Sequence, residues 1–274
     1  MISLRTIGIL LAILPAQIAL AETLNVAVAA NFTQTLKQLQ PLFEQQSGHQ
    51  LKISSASTGT LYAQIVHGAP FDIFLAADTQ RPQALIDDDR ADAKSALIYA
   101  RGVLVLWSPD ENIITNDSSV LTRANFNHIA IANPNTAPYG IAAQQVIAHL
   151  DNLPPQYGVE KRASLRQKLS GKIVQGENIA QTWQFVVSGN AELGFIAKSQ
   201  LIFSGRDNSG SHWEIPNSLY QPIEQMAVVV KSPDTSKQKA ANNFMQFLRS
   251  NEAREVIRRY GYNVGDYSAK ASTE

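Results

Sequence analysis

The chain has 274 residues, with 23 Lys and Arg against 23 Asp and Glu, no cysteine, and 45% hydrophobic residues. That balance excludes the basic excess of a nucleic-acid or anionic-membrane binder. A chain without cysteine cannot be a disulfide-stapled scaffold and must be held together by packing.

The first residues have the pattern of a leader. Arg5 precedes the apolar run Ile7 to Leu14, and Ala19-Leu20-Ala21 places small residues ahead of Glu22, which predicts a secretory signal over residues 1–21. The apolar part is too short to span a bilayer, and no later stretch approaches the roughly 20 apolar residues of a spanning helix, so no membrane insertion is expected. With no cysteine before Glu22 there is no lipid attachment site, and free diffusion in a bacterial periplasm is the expected location. Losing Arg5 with the signal leaves 22 basic against 23 acidic residues, a formal charge of −1. The remaining ~250 residues exceed one ordinary core, which points to two lobes.

Leu24 to Val28 reads as a buried strand, followed by Asn31 and a helix whose Phe32, Leu36, Leu39 and Phe43 share one face until Gly48 stops it. Leu51 to Ser55 is the next strand. Ser57-Thr58-Gly59 is the turn after it, and Leu61, Tyr62, Ile65 and Val66 mark a short helix closed by Gly68. Phe71 to Leu75 is a third strand and Gly102 to Trp107 a strong fourth, after which the polar stretch Asp110 to Ser119 is the expected crossing between lobes. His128 to Ala132 opens a second set, with a turn over Asn133 to Tyr139 and a helix from Ile141 to about Leu150. Lys172 to Val174 leads through Asn178 into a helix carrying Ala180, Trp183 and Val187, and Leu193 to Ala197 is a further strand. Gln225 to Val230 is read as the return crossing, because the terminal helical region with Phe244, Phe247, Leu248, Val256 and Ile257 needs an apolar surface to cover. Strands alternating with helices imply α/β architecture with mixed, mostly parallel sheets. The lobes are expected at 22–105 with 226–274 and at 106–225, joined by a two-strand hinge with the ligand site beyond the strand ends.

Four of these turns stand where a helix begins. A helix start carries unpaired N–H groups and the positive end of the dipole, so an adjoining hydroxyl or amide completes a nest of donors for an anion. Read singly, each residue has a plainer explanation: Asn31 as an N-cap, Thr58 as a cap, Tyr139 as a half-buried aromatic. A cleft offering donors alone suits a fully deprotonated dianion. Hydrogen phosphate would bring a proton with no acceptor, and an unpaired buried polar group costs about 1–3 kcal/mol. Six or seven charge-assisted bonds of about 1.5–3 kcal/mol each suffice for nanomolar capture, near −12 kcal/mol.

Val28 to Phe32, Ser54 to Gly59, Gln64 to Pro70 with Asp72, Ala76-Ala77-Asp78, Ala137 to Gly140 and Ala191 to Phe195, in this order, resemble the periplasmic molybdate/tungstate-binding proteins of ABC importers, in the branch known from diazotrophic bacteria. The resemblance implies a type II periplasmic binding protein fold and an oxyanion held between lobes by neutral groups. It implies, as ligands, Ala30 through its backbone, Asn31, Thr58, Tyr139 and the backbone N–H of Ile179. It also implies a membrane permease as partner, a monomer, no catalysis, and no cofactor or direct metal ligand beyond the oxyanion. The chain departs from the pattern at Ala30 or Asn31, where many relatives carry serine or threonine, and at Ala197, where many carry tyrosine; Tyr139 is the candidate substitute for that hydroxyl.

Rival readings are a sulfate or ferric-iron receptor, an exported hydrolase using Ser57 or Thr58, and an adhesion module built around Trp213 and Tyr220. His49, His67, His128, His149 and His212 show no metal-ligand spacing, no nucleophile elbow or Walker loop occurs, and Asp87-Asp88-Asp89 lacks the EF-hand form.

Overall fold

The structure, a computed structural model, describes residues 21–152 and 164–265. The expected signal, residues 1–21, lies outside them except for Ala21. Among the described residues no helix is long and apolar enough to cross a membrane.

The chain begins with β1 (Thr23–Ala29), α1 (Thr33–Ser47), β2 (Gln50–Ala56), α2 (Thr58–Val66), β3 (Ile73–Leu75), α3 (Gln80–Asp87) and β4 (Leu97–Gly102). It continues through β5 (Leu104–Ser108), α4 (Ser119–Arg123), β6 (Ile129–Ala132), α5 (Pro138–Asp151), α6 (Leu165–Leu169), β7 (Ile173–Gly176), α7 (Ile179–Val187), β8 (Leu193–Ala197), α8 (Lys198–Ser204) and β9 (Ser211–Glu214). It closes with β10 (Ile223–Val229), α9 (Thr235–Leu248) and α10 (Asn251–Arg259).

These strands make two five-stranded mixed sheets, ordered β2-β1-β3-β10-β4 and β7-β6-β8-β5-β9. β1 is parallel to β2 and β3, and β6 to β7 and β8, as βαβ crossovers require. In each sheet one strand runs against its neighbours: β10 in the first and β5 in the second. Each of these two strands arrives from the other half of the molecule. The expected type II periplasmic binding protein architecture is therefore present, drawn twice on one plan.

The Gly102 to Trp107 run differs from its reading as one strand. β4 ends at Gly102 in the first sheet and β5 starts at Leu104 in the second, so the chain crosses over there and not in the Asp110–Ser119 stretch. The apolar run belongs to β5, whose five residues are all buried, and β4 contributes only Gly102 to it. The return is complete by Ile223, which pairs with Gly102. The two crossings thus lie side by side.

The first half buries Leu24, Val26 and Val28 of β1 against Phe32, Leu36, Leu39 and Phe43 along α1 and against Phe244 and Phe247 of α9. Those four α1 residues recur at helical spacing, which is why the helix seats on the sheet. Gly48 ends it with φ 74°. In the second half Leu104, Leu106, Ile129, Ile131, Leu193 and Phe195 pack with Ala142, Ala143 and Val146 of α5. Trp213 and Tyr220 belong to this same buried cluster, so the surface on which an adhesion reading depends is not a surface.

Candidate functional site

The carboxyl ends of β1 and β2 face those of β6 and β7, with α1, α2, α5 and α7 beginning there. Two hydrogen bonds close the seam on one side: the Gly59 N–H donates to Thr136 O at 2.8 Å, and Arg81 Nη2 donates to Asn135 O at 3.0 Å. The Arg81 guanidinium is itself paired with Asp78 at 2.5 Å. On the other side, consecutive residues of α8 reach both halves. Ser199 Oγ donates to Asn31 O at 3.4 Å, and Gln200 Nε2 donates to Ile179 O at 2.9 Å.

Asn31 is 5% exposed and is not the cap of α1. Phe32 holds that position and makes no side-chain cap bond. The Asn31 Nδ2 instead donates to Gln225 Oε1 at 2.9 Å and to Tyr262 OH at 3.2 Å. Ala30 lies beside it, half-buried, but its N–H donates to Ala56 O at 3.0 Å. Ala30 therefore has no backbone donor to offer, which corrects the expected role. The donor left over in this turn is the N–H of Asn31, which has no hydrogen-bond partner among the described residues.

Thr58 is 1% exposed at the first position of α2. Its Oγ1 accepts from the Ala77 N–H at 3.1 Å, so its own proton points elsewhere. Ser57 is the true cap, accepting from the Thr60 N–H at 3.3 Å. Neither hydroxyl bonds a histidine, so the hydrolase reading has no base.

Tyr139 sits in the first turn of α5, after Pro138, which has no N–H to give. Its hydroxyl is carried to the hinge. There Gln225 Nε2 donates to it at a long 3.5 Å, and it lies so close to Gly102 that a Cβ at that glycine would meet it at 2.2 Å. Ile179 opens α7, where Asn178 Oδ1 accepts from the Ala180 and Gln181 N–H groups at 2.9 and 3.0 Å and leaves that of Ile179 over. The backbone N–H groups of Thr58, Tyr139 and Ile179 likewise bond no described residue.

Ala29, Ala77, Tyr139, Ile179 and Ala197 share one buried cluster, with Ala30 packed against it. Thr58 is tied to that cluster through Ala77, and Asn31 through Gln225 and Tyr139. Ala30, Tyr139 and Ile179 thus belong to one cluster, to which Asn31 and Thr58 are joined by hydrogen bonds. Beside Ala30 and Asn31 opens a cavity of about 470 Å³ lined by Ser55, Trp183, Gln200 and Phe203 among others from both halves.

Burial, followed by the nearby Tyr262 hydroxyl, pushes the Tyr99 and Tyr139 hydroxyls well above the ordinary tyrosine range. Burial also lifts Tyr262 up to about 12 against the hydrogen bonds from Ser199 and Asn31. These groups stay neutral throughout the physiological range. Among the described residues no group of three or more His, Cys, Asp or Glu stands together as a metal cage. Apart from the Arg81 guanidinium, which is paired with Asp78, the donors gathered at the seam are neutral hydroxyls and main-chain N–H groups, an arrangement that suits an oxyanion.

The sequence reading missed Gln225, Tyr99, Ser199 and Tyr262, which hold Asn31 and Tyr139. Gln225 carried a faint signal, as a polar residue opening the apolar run it leads; Ser199 and Tyr262 carried none.

Residues 24–263 match the family model described as bacterial extracellular solute-binding protein. The chain belongs to that family. It is 42% identical over 247 residues to the molybdate-binding protein ModA of Azotobacter vinelandii, covering 90% of this chain and 92% of the relative. It is 39% identical to ModA of Rhodobacter capsulatus over 89% of both chains. The solved structure of the Azotobacter vinelandii periplasmic molybdate-binding protein superposes with a TM-score of 0.80 at 38% identity, covering 88% of this chain and 99% of that one. The resemblance drawn from the ordered motifs is borne out over essentially the whole described chain. These relatives are solute-binding proteins and not enzymes.

Proposed function

We propose that the protein binds molybdate or tungstate between its two halves, in the periplasm, and hands it as a monomer to the membrane permease of an ABC importer, with no catalytic step and no cofactor. The observation that carries the reading is the set of four backbone N–H groups, on Asn31, Thr58, Tyr139 and Ile179, left without partners where the two sheets face each other. The Thr58 hydroxyl is the fifth donor. Ala30 contributes only a small side chain beside the anion. Tyr139 gives its main-chain N–H, while its hydroxyl serves the hinge and does not replace a tyrosine at Ala197.

The selectivity argument is one of protons and size. A dianion with no proton can accept at every oxygen from donors alone, whereas hydrogen phosphate would leave its own O–H unpaired at about 1–3 kcal/mol. Sulfate carries the same charge on a smaller tetrahedron, and it would meet the same donors at longer distances. Binding is coupled to closure, because only the closed arrangement brings Tyr139 and Ile179 onto an anion held by Asn31 and Thr58.

A thermal-shift panel tests this directly. A ligand present at a thousand times its Kd stabilises the native state by about 4 kcal/mol, which moves Tm by several degrees in a protein of this size. Molybdate and tungstate are expected to give that shift, and sulfate and phosphate to give little. A large sulfate shift with none from molybdate overturns the choice of ligand in favour of a sulfate receptor.

A further inference from the structure

Behind the donors runs a connected chain of buried polar side chains that the anion site alone does not explain. Gln225 is fully buried, on β10 where its pairing with β4 shifts register. Its Oε1 accepts from Asn31 Nδ2 at 2.9 Å and from Tyr99 OH at 3.0 Å, and its Nε2 donates to Tyr139 OH at 3.5 Å. Asn31 continues the chain, because the Tyr262 hydroxyl donates to its carbonyl at 2.8 Å and lies 3.0 Å from Ser199 Oγ. Asn31, Tyr99, Gln225 and Tyr262 pack with the first sheet, whereas Tyr139 and Ser199 come from the second.

Opening the seam would therefore break the contacts of Tyr139 and Ser199 and leave the Asn31–Gln225–Tyr99 bonds in place. A buried amide with a 194-residue sequence separation from its partner fixes that partner's turn far more narrowly than local propensity can. Resting on the oxyanion reading above, we propose that Gln225 is a positioning residue for the anion site. It holds the Asn31 turn so that the main-chain N–H faces the anion, and it registers closure through the Tyr139 hydroxyl.

The test is Gln225→Glu, followed by molybdate calorimetry from pH 6 to pH 9, where molybdate remains a dianion. Protonated glutamic acid keeps the shape and the acceptor oxygen that Asn31 and Tyr99 use, whereas the ionised form places a negative charge behind the donors. The hydroxyls of Tyr99 and Tyr139 bond Gln225 directly and that of Tyr262 lies beyond Asn31, with the Asp78–Arg81 and Arg101–Glu224 ion pairs on neighbouring elements. The three hydroxyls stay neutral within the range, held there by burial. Burial raises a carboxyl into the neutral range, so the variant should lose affinity by at least about tenfold as pH rises, while the wild type stays flat.

Tyr139→Phe gives the second reading if Gln225→Glu does not fold. It should raise the dissociation rate of molybdate several-fold with little change in the association rate. A pH-flat Gln225→Glu, or a wild-type dissociation rate in Tyr139→Phe, overturns the positioning role. Failure of the wild type to bind molybdate at all would instead overturn the oxyanion reading.

Discussion

The two halves of the molecule share a plan yet build their sides of the seam differently. In the first half the donors rest on side chains: Thr58 with its hydroxyl, and an Asn31 turn held through its amide to Gln225 and Tyr262. In the second half they rest on the backbone alone, at the starts of α5 and α7, where the side chains of Tyr139 and Ile179 face the core. Alanine substitution can thus remove the Thr58 donor hydroxyl on one side, whereas on the other it leaves the main-chain N–H groups in place. An alanine scan would report the first half as the whole binding site and overlook half the donors.

The largest effect should come from attacking the backbone side on its own terms. Proline is well accommodated at the first position of a helix, and Asn178 before it already has the extended φ −149° and ψ 174° that a following proline demands. Ile179→Pro therefore removes one N–H together with part of a buried side chain. Calorimetry should show molybdate binding weakened by about ten- to a hundredfold, the worth of one bond to a charged group, with Tm of the free protein lowered about as much as in Ile179→Ala, which truncates the same side chain. Ile179→Ala should leave affinity close to wild type. If the proline variant binds normally, the backbone half of the site is wrong.

Thr58→Ala comes next, with an expected loss of several-fold to about tenfold in affinity. It also leaves the Ala77 N–H without its acceptor, so Tm falls too, and Thr58→Ser should recover most of both. Asn31→Ala, by contrast, takes one buried donor from both Gln225 and Tyr262, and its loss of affinity should come with a larger loss of stability. Smaller again is Gly59→Ala. A Cβ there would stand 3.0 Å from Thr136 Cα and 3.2 Å from Arg81 Nη2, propping the seam by a few tenths of an ångström. Affinity should drop about three- to tenfold, through a faster dissociation rate, because only closure is impeded.

Much of this was legible in the sequence, because local rules wrote it. The alternation of apolar runs with helical patterns located most strands to within a residue or two, and helix starts after strands pointed to Asn31 and Thr58, whereas Tyr139 and Ile179 entered through the family resemblance. Asn31 was legible as a position and misleading as a mechanism. An asparagine just before a helix reads as a cap, yet its true partners lie 194 and 231 residues away, and no local pattern encodes such pairings. Gly102-Val103-Leu104 misled for a related reason. Strands buried on both faces carry no alternation, so the point where the chain leaves one sheet for another is invisible in hydropathy, and only the glycine at the break marked it.

The smallest effect separating the halves should be that of pH, because the buried tyrosine hydroxyls at the seam stay neutral in the working range. Molybdate affinity of the wild type is expected to be flat between pH 6 and pH 9. Stability behaves differently at the alkaline extreme. Burial raises Tyr262 to about 12 in the folded protein, against about 10 in an unfolded chain. The fold thus favours the neutral hydroxyl, and this contribution is fully present below pH 10. As pH rises from 10 towards 12 the unfolded chain sheds the proton first and the contribution is lost. Denaturant titrations at pH 9, 10 and 11 should show stability falling across that window. In Tyr262→Phe the fall should be shallower, starting from a lower plateau because Asn31 and Ser199 lose a partner. An equal slope in the two proteins would mean that Tyr262 is not held neutral by its burial, and that the polar chain behind Asn31 admits water.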